Sequence, residues 1–122
     1  MKIINWFQIP AEDIDRAVSF YSDVLKAAFH RLEHQGEKHA FFALDTLETQ
    51  RTGGEIIQST RNKPSQDGAL IYLNAADGVD AALARVDKAG GKILMSKTSI
   101  GENGFIALFL DTEGNKIGLH SM

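Results

Sequence analysis

The hydrophobic pattern changes its period along the first part of the chain, and each change predicts an element. Residues 3–9 are rich in β-branched and aromatic side chains and end at Pro10, which is typical of a strand. From about Asp13 to Ala28, apolar residues recur at helical spacing. Asp13 is suited to cap this helix, because its carboxylate can accept a hydrogen bond from a free amide of the first turn. The pattern therefore predicts a strand followed by an amphipathic helix.

Three more strands are predicted after this helix, and then the same order of elements returns. The strands are residues 29–33, 39–45 and 55–59. Residues 61–68 are polar and contain a proline, which predicts a linker. The elements predicted beyond the linker are a strand at 69–75, a helix at 77–89 that ends at Gly90-Gly91, and strands at 92–97, 105–110 and 116–120, the last two joined by a tight turn at 112–115.

The repeated order predicts an α+β fold built from two βαβββ modules, one of about residues 1–62 and one of about residues 66–122. An offset of 64 aligns Asp13 with Asp77 at the two predicted helix starts (77 − 13 = 64). Two such units can complete one core when neither buries its sheet face alone. A ferredoxin-like fold is the alternative, but it needs fewer strands than the pattern indicates.

Composition narrows the class of protein. The chain has 122 residues, 43% of them hydrophobic and 24% charged, which is typical of one globular domain. The net charge of −3 and the scattered basic residues argue against nucleic acid or an anionic membrane as a partner. No apolar run reaches the ~20 residues of a membrane span. The chain has no cysteine and no signal-peptide pattern, so we expect a soluble cytoplasmic protein without disulfides or thiolate sites.

Two motifs at opposite ends of the chain carry a family resemblance. The first covers residues 7–21, where a strand is followed by an acidic helix start and the pair Phe20-Tyr21. The second is the turn at residues 111–115 with the strand that follows it, in which Thr112 replaces the usual proline. Together they resemble the vicinal oxygen chelate superfamily, which includes glyoxalase I, bleomycin-resistance proteins and extradiol dioxygenases. The resemblance implies two four-stranded curved mixed sheets around a cleft, and a homodimer.

The resemblance also implies where catalytic members hold a divalent metal ion. Their ligands are His and Glu side chains on the first and last strands of each half. Matched residue by residue, those positions are Trp6, Gln58, Leu70 and Gly118. Three of these have no ligating side chain, and a glutamine amide is a weak ligand for a transition metal. We therefore expect a metal-independent member of the family, with no cofactor.

Strand alternation predicts which side chains line the cleft. If Phe7 and Ile9 pack on the helix, their neighbours on the strand point away from the helix and into the cleft. We expect Ile57 to pack on the helix in the same way. The predicted ligand-binding residues are Trp6, Gln8, Phe42, Gln58, Leu70, Tyr72 and Asn74. Such a mixture of apolar walls and a few polar groups suits a small organic ligand. The alternative is that Trp6 and Tyr72 fill the cleft and close it.

The histidines offer the remaining chemistry. His120 is predicted to point from the last strand into the cleft, and its unperturbed pKa of ~6.5 suits acid–base catalysis. An exposed histidine near the end of the chain is the alternative. His30 and Glu33 should point to opposite faces of a strand, and His34 and His39 are interpreted as the solvated end of a hairpin.

Three functional hypotheses follow. The first is a glyoxalase- or bleomycin-resistance-like protein that binds a small organic molecule in its cleft without metal. The second is a glyoxalase-like lyase or isomerase, either metal-free with His120 as the acid–base group or bound to metal through non-standard ligands. The third is a dimeric interaction module without a ligand.

Overall fold

Each half of the chain folds as one strand, one helix and three strands. The structure is a computed structural model, and it describes residues 3–43 and 52–122. The elements are β1 (Trp6–Pro10), α1 (Ile14–Leu25), β2 (Phe29–His34), β3 (Glu37–Phe42), β4 (Gly53–Gln58), β5 (Tyr72–Asn74), α2 (Val79–Lys88), β6 (Lys92–Ser99), β7 (Phe105–Leu110) and β8 (Lys116–Ser121), with a short 3-10 turn at Gly101–Asn103. The predicted end of the second hairpin strand, Asp45, lies outside the described residues. The predicted order of elements is confirmed, and the α+β fold with it.

The strands form two sheets of four. The first has the order β1-β4-β3-β2 and the second the order β5-β8-β7-β6. In each sheet the first strand runs parallel to the last strand of its half, and the other neighbours are antiparallel. Both sheets are therefore mixed, as predicted. Eight described strands in two sheets exclude the ferredoxin-like alternative.

One hydrophobic core joins the two halves. The buried stripe of α1, which includes Ala17 and Phe20, belongs to the same cluster as Val86 of α2 and residues of both sheets. The ring of Phe20 lies 5.7 Å from that of Phe109 on β7, so the first helix also packs on the second sheet. Each sheet thus has an inner face toward the helices and an outer face turned away from them.

The two helices begin differently. Asp13 caps α1 and accepts a hydrogen bond from the Arg16 amide at 3.2 Å, as predicted. Asp77 does not cap α2, because Gly78 holds the cap position and makes no side-chain bond. The Asp77 carboxylate instead accepts hydrogen bonds from Arg85 at 2.9 and 3.0 Å, and these bonds hold the pKa of Asp77 well below its ordinary value. The sequence offset of the two aspartates therefore does not reflect a shared capping role.

The two motifs that carried the family resemblance are in contact. The hydroxyl of Tyr21, which is fully buried, donates to Asp111 at 2.6 Å. The Asn115 side-chain amide donates to Asp111 at 2.9 Å and to the Pro10 carbonyl at 2.8 Å. Asp111 also accepts from the backbone amides of Glu113 and Asn115 at 2.9 Å each. These residues therefore join the turn before β8 to the first strand and helix.

Glu113, in the same turn, holds the start of α1. Its side chain is fully buried and accepts from the backbone amides of Glu12 and Asp13 at 2.9 and 2.8 Å and from Arg16 Nε at 2.7 Å. Thr112, which stands where the family usually has proline, donates its hydroxyl to the same carboxylate at 2.9 Å. The second half of the chain thus satisfies amides that the first turn of a helix leaves free.

We predict that Glu113 makes stability depend on acid pH. Burial alone would raise the pKa of Glu113. Hydrogen bonds from Arg16, the Asp13 amide and Thr112, together with the charge of Arg16, outweigh burial and hold this pKa below its ordinary value. A depressed folded-state pKa adds stability that is present above the unfolded-state value of ~4.3 and is lost as the pH falls through the folded-state value. Urea unfolding at about pH 6 and about pH 3 should show a larger acid-induced loss for the native protein than for Glu113→Gln. Equal losses in the two proteins would contradict this role.

Candidate functional site

A pocket opens between β1 of the first sheet and β5 of the second, and we call it the edge pocket. Its volume is about 680 Å3. Both strands stand at the edges of their sheets, so neither pairs with another described strand on the side that faces the pocket. The described residues that line it are Ile4, Phe7, Leu25, Phe42, Thr52, Gly54, Leu70, Ile71, Tyr72, Leu73 and Asn74.

Four of the predicted ligand-binding residues meet in this pocket and three do not. Phe42, Leu70, Tyr72 and Asn74 line it. Trp6, Gln8 and Gln58 lie elsewhere. The residues that were expected to line one cleft are therefore separated. Trp6 and Tyr72 remain 49% and 44% exposed, which contradicts the alternative that they fill a closed cleft.

Two glycines let aromatic rings lie flat on their strands. Phe7 is paired in register with Gly54, and an added Cβ on Gly54 would fall 2.2 Å from the Phe7 ring. Tyr72 is paired with Gly118, and a Cβ there would fall 2.3 Å from the Tyr72 ring. Phe7 therefore covers β4 at the edge pocket, while Tyr72 covers the place on β8 where the resemblance expects a metal ligand.

The outer face of the first sheet carries a buried carboxylate that the sequence analysis missed. Glu55 accepts hydrogen bonds from Trp6 Nε1 at 3.0 Å and from Gln8 Nε2 at 3.3 Å. His39 Nδ1 lies 2.5 Å from the other carboxylate oxygen. The side chains of Glu55 and His39 are only 6% and 14% exposed. His39 is therefore not the solvated hairpin residue that was expected.

A second carboxylate extends this cluster. Glu37 Oε1 lies 3.9 Å from His39 Nε2, so the imidazole stands between two acids. Glu37 is bonded in turn by the Ser59 hydroxyl and by Arg61, whose NH2 lies 2.6 Å away, and these contacts lower the pKa of Glu37. The imidazole and its two carboxylates form one polar cluster on the outer face.

The predicted orientation of β4 is wrong by one residue. Ile56 belongs to the core, and Ile57 shares the outer face with His39, its partner in register. Gln58 therefore points to the inner side, where its Oε1 accepts a hydrogen bond from the Ile14 amide at 2.9 Å. The pair Ile56-Ile57 does not define a phase, because either isoleucine suits a buried position. Glu55 is therefore the β4 carboxylate on the outer face, and Gln58 supports α1.

The orientations of β1, β5 and β8 agree with the prediction that the neighbours of their core residues face away from the helices. Ile9, Leu73, Ile117 and Leu119 belong to the core, which leaves Trp6, Gln8, Tyr72, Gly118 and His120 on the outer faces. His120 is half-buried, and its Nε2 lies 2.6 Å from the Asn103 carbonyl, so this nitrogen carries the proton. A catalytic role for His120 stays a prediction.

The residues present do not fit the metal centre of catalytic family members. None of the matched positions carries a strong ligand. The nearby carboxylate of Glu55 is already bonded by the indole N–H of Trp6, which cannot ligate a metal. The Tyr72 ring covers Gly118 in the other half. Within residues 3–43 and 52–122, no three His, Asp or Glu side chains are arranged to hold one metal ion, and Glu37 and Glu55 lie at different nitrogens of the His39 ring. We therefore derive no chemistry through a metal.

Comparisons with known proteins agree with the fold and the motifs. A model of the Glyoxalase/Bleomycin resistance protein/Dioxygenase superfamily matches residues 3–119. A glyoxylase-like domain-containing protein from Didymella fabae is 31% identical over 118 residues, covering 92% of this chain and 88% of that protein. In the described parts of the chain, neither helix has the length and apolar character required to cross a membrane.

Solved structures share the fold at low sequence identity. A glyoxylase/bleomycin resistance protein/dioxygenase domain from Frankia sp. EAN1pec superposes with a TM-score of 0.73 at 14% identity, covering 98% of this chain and 91% of that one. The fosfomycin resistance protein FosX from Listeria monocytogenes superposes with a TM-score of 0.70 at 14% identity, covering 100% and 92%. At such identities the likeness concerns the fold alone.

Proposed function

Because the chain belongs to the Glyoxalase/Bleomycin resistance protein/Dioxygenase superfamily, we propose that it binds a small organic molecule in the edge pocket, without a metal ion. The carrying observation is the pocket itself: about 680 Å3 between the two halves, with mostly apolar walls and few polar groups. These are the size and lining of small-molecule sites in general. Binding of this kind requires no catalytic residue.

The family contains proteins of several functions, so the ligand must be argued from the pocket. The Listeria structure is described as a fosfomycin resistance protein. Its shared fold does not transfer that ligand to this chain, since function resides in the site. Four residues predicted from the sequence to contact a ligand do line the pocket, which supports its use as the binding site.

A thermal-shift screen against metabolites and antibiotics, followed by calorimetry on the hits, tests the proposal. A compound that binds the native fold and not the unfolded chain raises the melting temperature by mass action. At least one hit with saturable binding at one site per chain supports the proposal. A screen without any such hit would count against it. Elemental analysis of protein purified without chelators tests the metal-free part, which a stoichiometric transition metal would contradict.

We also propose that the chain forms a homodimer through its outer faces. Trp6 on the first sheet and Leu94 on β6 are 49% and 41% exposed. A second copy would remove these apolar side chains from water. Sedimentation velocity should show a dimer that Leu94→Glu weakens. A monomer at all concentrations would overturn the dimer and with it the hypothesis of a dimeric interaction module.

An acid–base enzyme is the second candidate, and the contact between His39 and Glu55 favours it. A buried carboxylate 2.5 Å from an imidazole can hold and move a proton on the outer face. A lyase or isomerase reaction would use this pair or His120. Glu55→Gln, His39→Gln and His120→Ala should then lower any turnover detected in an isomerase and lyase screen. Turnover that survives all three substitutions would exclude the acid–base candidate.

A further inference from the structure

The lining of the edge pocket is uncharged as far as the structure describes it. Its described lining includes no Asp, Glu, Lys, Arg or His side chain. We infer that its ligand is an uncharged aromatic molecule with a hydroxyl or carbonyl group, an inference that rests on the proposed function. A charged ligand would lose its hydration there and find no ionic partner among the lining residues.

Two described charged residues that follow lining residues in sequence are directed away from the pocket. Glu55 follows Gly54 on β4, but strand alternation places its side chain on the opposite face of the sheet, where Trp6 and His39 bind it. Lys26 follows Leu25, and its Nζ lies 3.4 Å from Asp77. Of the charged residues that the structure describes, neither Glu55 nor Lys26 therefore supplies a counter-ion to the interior of the pocket.

Aromatic walls favour a flat ring. Phe7 and Phe42 line the pocket with their ring centroids 5.6 Å apart at an angle of 47°. Leu25, Leu70 and Ile71 complete the apolar surface. An aromatic ligand can pack against tilted rings in edge-to-face or offset geometry. Each such pair stabilises binding by about 0.5–1.5 kcal/mol beyond the contribution of the buried apolar area.

The polar groups of the lining indicate which hydrogen-bonding groups the ligand has. The hydroxyl of Thr52 already donates to the Ile4 carbonyl at 3.1 Å. Tyr72 and Asn74 also line the pocket, and each carries a polar side-chain group, the Tyr72 hydroxyl and the Asn74 amide. Both can donate and accept, which matches a hydroxyl or carbonyl group on the ligand.

Competition among three naphthalene derivatives tests the charge of the ligand. The uncharged dye N-phenylnaphthylamine serves as the fluorescent reporter, and naphthylmethanol, naphthoate and naphthylmethylammonium displace it at neutral pH. These competitors share one ring system and differ in charge. We expect naphthylmethanol to displace the dye at a concentration about tenfold lower than either ion. Leu32→Trp, which changes an exposed residue on β2, is the control that should keep this order.

The outcomes separate this inference from the proposed function. If an ion displaces the dye as well as the alcohol does, the inference fails while the site remains. If the dye does not bind but the screen yields other saturable ligands, the inference also fails alone. If neither the dye nor any screened compound binds, both fail.

Discussion

Replacement of Asp111 by alanine should lower the free energy of unfolding by about 3–5 kcal/mol, because it removes the acceptor of several buried donors. Asp111 is 5% exposed and accepts hydrogen bonds from the Tyr21 hydroxyl, the Asn115 side chain and two backbone amides. Without the carboxylate, the buried Tyr21 hydroxyl loses its partner, and the turn before β8 loses its internal bonds. Urea unfolding followed by circular dichroism gives the value.

Two further variants make this measurement specific. Tyr21→Phe removes one donor and leaves Asp111 its other partners, so it should lower the free energy of unfolding by only about 1–2 kcal/mol. Asp87→Ala removes an exposed aspartate on α2 and should have little effect. If Asp111→Ala proves no more destabilising than Asp87→Ala, the turn does not join the two halves in the way described.

Leu70→Trp should weaken binding of N-phenylnaphthylamine by about tenfold or more. Leu70 is half-buried and lines the edge pocket, so the larger indole would occupy space that the ligand needs. The change lies before β5 and outside the core cluster, so the fold should be preserved. Fluorescence titration excited beyond the tryptophan absorption measures the affinity without interference from the new indole.

Leu32→Trp is the matched control for this substitution. Leu32 is 52% exposed on β2, an edge strand, and does not line the edge pocket. The same leucine-to-tryptophan change there should leave the affinity unaltered. Equal weakening in both variants would indicate that the dye binds apolar surface in general and not the pocket.

Local patterns predicted the architecture because each element carries its own signal. The stripe of α1, the glycines after α2 and the turn before β8 require only neighbours in sequence to be recognised. The phase of β1, β5 and β8 followed from isolated alternation such as Phe7 and Ile9. Adjacent isoleucines removed that signal from β4, so Gln58 was assigned to the wrong face and the buried Glu55 was missed.

The site was predicted only in part, since it depends on contacts between distant segments. His39 pairs with Glu55 across the sheet, and no local pattern distinguishes this histidine from a solvated one. The edge pocket depends on how the second sheet is placed beside the first, which strand order alone does not give. The prediction placed Phe42, Leu70, Tyr72 and Asn74 in one cleft, and they line one pocket, but their separation from Trp6 and Gln8 was not foreseen.

An NMR titration of isotope-labelled protein with N-phenylnaphthylamine tests most directly where a ligand binds. Trp6 is the only tryptophan in the chain, so its indole N–H gives one signal that reports on the outer face beside Glu55. Binding in the edge pocket should shift the backbone amide signals of Gly54, Leu70 and Asn74 and leave the indole signal unchanged. A shift of the indole signal, with those amides unmoved, would place the ligand on the outer face and contradict the account.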